Sequence, residues 1–122
     1  MDWKLELIQV PVADIDRAKA FYEKAGFNAD YDSWANDEVR FVQLTPPGSA
    51  CSIALTSGVH QMPPGSIHGL QLVVADADAA REQLMRRGID VGEVQELPWG
   101  RFVFFADPDG NFWSVQQIPR RD

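Results

Sequence analysis

The residues that could do chemistry in this chain are mostly neutral. Gln9, Gln43, Gln71 and Gln116 offer amide donors and acceptors, and Ser52 and Ser114 offer hydroxyls. Such groups orient a bound molecule through hydrogen bonds, but they neither attack it nor exchange protons with it readily. Phe41, Phe102 and Phe104 add flat apolar surface that can stack on planar rings. The sharper reagents are few. Cys51 is the lone cysteine, and no cationic neighbour in sequence would lower its pKa, so it reads as a small buried apolar residue. The two histidines, His60 and His68, read as linker and surface residues. The sequence offers no nucleophile–base pair and no catalytic acid, so no catalytic residue is assigned. Recognition of a small organic molecule is the chemistry that these residue types suit.

The elements that position these residues come in two copies. A shift of 62 positions places Gln9, Val12, Ala13, Asp14, Asp16, Ala18 and Gly26 on Gln71, Val74, Ala75, Asp76, Asp78, Ala80 and Gly88; Gly48 and Ser52 fall on Gly110 and Ser114. Each copy reads as βαβββ. In the first, strands are expected over Leu5–Val12, Phe27–Trp34, Val39–Leu44 and Cys51–Thr56. In the second they are expected over Ile67–Val74, Asp90–Leu97, Arg101–Ala106 and Phe112–Gln117. Asp14 and Asp76 are helix N-caps, and Gly26 and Gly88 follow the helix ends. Pro11 requires a strand with one ladder side free. The expected organisation is one domain, 1–122, with a first module over 1–57, a linker over 58–66 and a second module over 67–118.

Strand alternation sorts the faces. Ile8, Val10 and Val12 share one side of the first strand, as Leu70, Leu72 and Val74 do in the fifth. These apolar sides belong under the helices. The opposite side carries Gln9, Phe41, Gln43 and Ser52 in one half and Gln71, Phe102, Phe104, Ser114 and Gln116 in the other. That face has too few charges for a solvated surface and too few aliphatics for a core. It suits a concave pocket, and these nine residues are the candidate ligand-binding set.

The totals narrow the class. A formal net charge of −7 argues against nucleic acid and anionic membrane surfaces as partners. No apolar run reaches the length of a transmembrane span, and the first residues show no signal-peptide pattern. The cytoplasm is the expected location.

The repeated βαβββ pattern resembles the vicinal oxygen chelate superfamily, the group of glyoxalases, extradiol dioxygenases, fosfomycin-resistance enzymes and bleomycin-binding proteins. The residues that carry the resemblance are Val10 to Tyr22 with Gly26-Phe27, and Phe104 to Trp113, which includes Asp107-Pro108-Asp109-Gly110-Asn111. The resemblance implies an α+β fold in which two tandem βαβββ modules curl into an open, funnel-like barrel of mixed sheet, with the helices outside. It also implies a homodimer. Metal-using members hold a divalent ion with His, Glu or Gln side chains; matching the motifs, the two histidine positions fall on Leu7 and Gly69 and the two acidic positions on Ser52 and Ser114. A leucine, a glycine and two serines make a poor donor set, so no metal ligand and no cofactor is expected. His68 is one residue out of phase with the inward face.

The reading is a metal-independent, glyoxalase/bleomycin-resistance-like protein. It binds a small aromatic or bulky organic molecule, as in drug or natural-product sequestration and antibiotic resistance. The alternative is an enzyme of the same superfamily, a lyase, isomerase or dioxygenase, with a non-standard metal site or a bound cofactor.

Overall fold

The computed structural model describes residues 1–56 and 62–119. Residues 58–61 of the expected linker, His60 included, lie outside the described residues. The first half runs β1 (Leu7–Pro11), α1 (Ile15–Ala25), β2 (Asn28–Trp34), β3 (Arg40–Thr45) and β4 (Ser52–Thr56); the second runs β5 (Leu70–Val74), α2 (Ala77–Arg86), β6 (Gln95–Leu97), β7 (Gly100–Ala106) and β8 (Phe112–Gln117). This is the α+β fold expected, built twice as βαβββ. Among the described residues the strands form two four-stranded sheets, ordered β1-β4-β3-β2 and β5-β8-β7-β6. Each is mixed: β1 runs parallel to β4 and β5 parallel to β8, while the other pairings are antiparallel. The sheets remain separate and are not closed into a barrel.

Local chemistry explains the helices. Asp14 and Asp76 are extended, and their carboxylates accept the N–H groups of Arg17 and Ala79. An N-cap of this kind satisfies a donor that the first turn would otherwise leave free. Gly26 ends α1 with φ 107°, a left-handed conformation that side chains avoid.

Parity places the faces as the alternation predicts. Val10 and Val12 are buried under α1, and Leu70 is buried with Leu72 and Val74 packed against the core. One hydrophobic cluster runs through both halves, from Val10, Tyr22, Val42 and Leu55 to Leu84, Phe105, Trp113 and Val115. β1 is an edge strand, which accommodates Pro11. The free edge is used: the Pro11 carbonyl accepts Asn111 Nδ2 at 2.8 Å and the Gly65 N–H at 3.2 Å. Gly65 has φ 80°, and a Cβ there would lie 2.0 Å from the Asp109 carbonyl oxygen, so only glycine allows that approach.

Three strands are shorter than expected by three residues or more, and β1 covers only Leu7–Pro11 of the expected Leu5–Val12. β5 begins at Leu70 rather than Ile67, because the Ile67 N–H is bound by Asn111 Oδ1 and its carbonyl by the Phe112 N–H. β6 covers only Gln95–Leu97 of the expected Asp90–Leu97. Ile89 and Val91 are buried there as core plugs instead of pairing.

Candidate functional site

The face opposite the helices carries the nine candidate residues, and each module gathers its own group. In the first, Gln43 Nε2 donates to Ser52 Oγ at 3.3 Å. Ser52 Oγ lies 2.6 Å from Thr45 Oγ1, and Thr45 donates in turn to Asp30. Phe41 meets Tyr31 edge to face, with centroids 5.9 Å apart. Gln9 stands on the exposed β1 edge opposite Ala54 of β4.

The second module holds more aromatic surface. Phe102, Phe104 and Phe112 form an offset stack, with centroid spacings of 5.9 and 5.6 Å and interplanar angles of 4° and 18°. Rings at such spacing attract through their quadrupoles and leave a flat apolar surface. The stack runs from buried Phe102 to Phe112, which is 38% exposed. Beside it lies an amide cluster. Gln71 Nε2 donates to Gln116 Oε1 at 2.6 Å, Ser114 Oγ donates to Gln71 Oε1 at 3.4 Å, and Gln116 Nε2 donates to the Trp99 carbonyl at 2.8 Å. Ser52 and Gln71, one from each module, line the same crevice of about 250 Å³, with Leu5, Ile8, Cys51 and Trp113 among its walls.

Sequence reasoning left Phe112, Tyr31, Thr45 and Asp30 out of the set. Phe112 was detectable, because it shares the parity of Ser114 and Gln116. The Thr45–Asp30 link was not, because the register of β2 shifts between Ala29 and Tyr31.

The positions matched to the family's metal ligands do not fit a metal ion. Leu7 and Gly69 bring no donor. The Ser52 oxygen is engaged by Gln43 and Thr45, and the Ser114 hydroxyl by Leu70 and Gln71. His68 turns its ring back to the Gly65 carbonyl, with Nε2 3.0 Å away. Among the described residues no three His, Cys, Asp or Glu side chains come together as a metal site. The two halves also differ in register. Ser52 lies across from Leu7 in one sheet, whereas Ser114 lies across from Gln71 in the other, so the serines are not strict equivalents.

Behind this face, a polar network absent from the sequence reading pins the modules together. The buried Asp107 carboxylate accepts from the Tyr22 hydroxyl at 2.7 Å and from Asn111 Nδ2 at 2.8 Å, and Trp113 Nε1 donates to the Tyr22 oxygen at 3.0 Å. Burial, with the Asp107 charge beside it, raises the Tyr22 phenol well above its ordinary pKa. Tyr22 therefore serves as a hydrogen-bond donor and not as an acid.

Comparison with known proteins gives a consistent result. A family model described as the Glyoxalase/Bleomycin resistance protein/Dioxygenase superfamily matches residues 4–115. The crystal structure of TnmS3, an antibiotic binding protein from Streptomyces sp. CB03234, is 38% identical with a TM-score of 0.87, covering 97% of this chain and 98% of its own. A glyoxalase/bleomycin resistance protein from the same strain is 39% identical with a TM-score of 0.80, covering 93% of this chain and 100% of its own. Among curated proteins, the uncharacterized protein YetH of Bacillus subtilis (strain 168) is 27% identical over 117 residues, which is 90% of this chain and 94% of YetH.

Proposed function

This chain belongs to the Glyoxalase/Bleomycin resistance protein/Dioxygenase superfamily, and we propose that within it the protein binds and sequesters a small aromatic or otherwise bulky organic molecule without a metal ion. The observation that carries this reading is the Phe102–Phe104–Phe112 stack set beside the Gln71–Gln116–Ser114 cluster. A stack supplies contact area, and neutral amides supply orientation at low desolvation cost. The likeness to TnmS3, described as an antibiotic binding protein, supports a ligand of the antibiotic kind. Sequestration in the cytoplasm would then confer resistance.

The reading includes a homodimer. Val73 and Phe112, on the concave face of the second module, are 61% and 38% exposed. A second copy closing over this face would bury them and complete the walls around the ligand.

The test is a titration of purified protein with planar aromatic antibiotics, read by tryptophan fluorescence, followed by recovery of the compound. Saturable binding with the compound recovered unchanged is expected. A transformed product would replace sequestration with lyase, isomerase or dioxygenase chemistry, and no binding to any planar compound would end the reading.

A further inference from the structure

The repeat relates two junctions between the modules, and they are filled differently. At one, α1 packs Phe21 and Tyr22 against the second sheet; Phe21 lies 6.2 Å from Phe105 and Tyr22 5.8 Å from Trp113. The 62-residue shift carries Phe21, Tyr22 and Ala25 onto Gln83, Leu84 and Arg87 of the second half. Two rings are thereby replaced by an amide and a leucine. Gln83, Leu84 and Arg87 border a hollow of about 230 Å³, closed on the other side by Ala25 and Phe27 of the first half. Its walls include Leu72, Val74, Ala80, Leu84, Phe105 and Val115, mostly from the helix side of the second sheet, and Val73 reaches its edge from the opposite side of β5.

The rim of this hollow is cationic. Gln83 and Arg87 are its charged or amide-bearing lining residues, and no carboxylate lines it. Arg87 Nη1 donates to the Ala25 carbonyl at 2.8 Å. Lys24 Nζ stands beside Gly88, 2.9 Å from where a Cβ would be. Among the described residues, Arg17, Lys19, Arg40, Arg86 and Arg101 each meet a carboxylate. Lys4, Lys24, Arg81 and Arg87 form no such pair there, and of these only Arg87 lines the hollow. In a chain of net charge −7, an arginine without a carboxylate partner in the wall of an apolar hollow is complementary to an anion with an apolar body.

We propose that this hollow is a second ligand site, which takes an aromatic carboxylate. The rings lie against Leu72, Val74, Leu84 and Phe105, and the carboxylate meets the Arg87 guanidinium. Size agrees: a dry apolar cavity of roughly 150 Å³ accepts benzene, so this one accepts a bicyclic ring. The site is independent of the concave-face reading.

The test uses 2-naphthoate and its neutral counterpart 2-naphthamide, titrated into the full chain and followed by amide NMR shifts. Naphthoate is expected to perturb Val74, Ala80 and Leu84, and the amide to bind on the order of tenfold more weakly, the loss of one charge-assisted contact. Arg87→Gln should bring naphthoate down to the level of the amide. Leu84→Tyr should block both compounds by refilling the hollow as Tyr22 fills the other junction. Absence of binding, shifts centred on Gln71 and Phe104 instead, or an Arg87→Gln variant with undiminished naphthoate affinity would each overturn the proposal. The Arg87→Gln comparison decides the matter even where Leu84→Tyr fails to fold.

Discussion

The Tyr22 hydroxyl donates a 2.7 Å hydrogen bond to Asp107, joining α1 of the first half to the β7–β8 turn of the second across 85 residues. Both residues are buried. Asp107 also takes the N–H groups of Asp109 and Asn111 at 2.9 Å each, so one carboxylate shapes the turn and anchors the helix.

Tyr22→Phe is therefore expected to destabilise the fold by about 1–3 kcal/mol, because Trp113 Nε1 loses its acceptor and Asp107 loses a donor in a buried place. Urea unfolding with an unchanged slope reads this directly. The raised phenol pKa has a further consequence. Its stabilisation is complete below the ordinary value of 10.0 and is lost as pH rises above it toward the folded value. The alkaline decline should be shallower in Tyr22→Phe; an unfolding midpoint within error of the parent would contradict the role given to this bond.

A second prediction concerns acid. Asp32 accepts from Arg40 at 2.8 and 2.9 Å and from Lys19 at 2.9 Å, and Arg40 also holds Asp16. The Arg40 hydrogen bond first, and then that of Lys19, depresses the Asp32 pKa well below 3.8. A depressed carboxylate stabilises fully above its unfolded value and loses that contribution as pH falls below it. Asp32→Asn should cost about 1 kcal/mol at neutral pH, for a partly exposed network screened by salt, and clearly less at pH 2. Equal losses at both pH values would refute the linkage.

Phe104 sits in the middle of the aromatic stack, so Phe104→Ala should weaken binding of a planar ligand by about 1–3 kcal/mol. Gln71→Leu should change the order of preference among ligands more than the melting temperature, because the amide bonds polar partners at the surface and not in the core. Calorimetric titration with two ligands that differ in one polar group separates the two effects.

Metal removal should change nothing. A bound ion stabilises by mass action, so a chelator should leave the melting temperature unmoved if no ion contributes. A drop of several degrees, restored by one divalent metal, would count against the metal-independent reading.

Sedimentation at micromolar concentration should give twice the 13.7 kDa chain mass. A monomer at that concentration would leave the concave faces open and remove the dimeric part of the proposal.

Much of this architecture was legible without coordinates. The 62-residue repeat foretold the doubled βαβββ order, and period-2 alternation put Gln9 and Gln71 on the same side of their sheets, away from the helices. Asp14 and Asp76 announced the helix starts. These signals are local: a cap, a turn or an alternation is fixed by residues a few positions apart. The shared strand parity of the nine candidates was readable for the same reason.

What tertiary structure alone decided is how the halves meet. Nothing near Tyr22 in sequence names Asp107, and nothing near Pro11 names Asn111. The registers that set Ser52 across from Leu7 but Ser114 across from Gln71 depend on turn lengths and packing in each hairpin, which a repeat count averages away. The same holds for the contrast between the filled junction at Tyr22 and the hollow at Leu84. The sequence shows the substitution, but a cavity exists only where side-chain volumes from several distant strands fail to close the space, and that sum is taken in three dimensions.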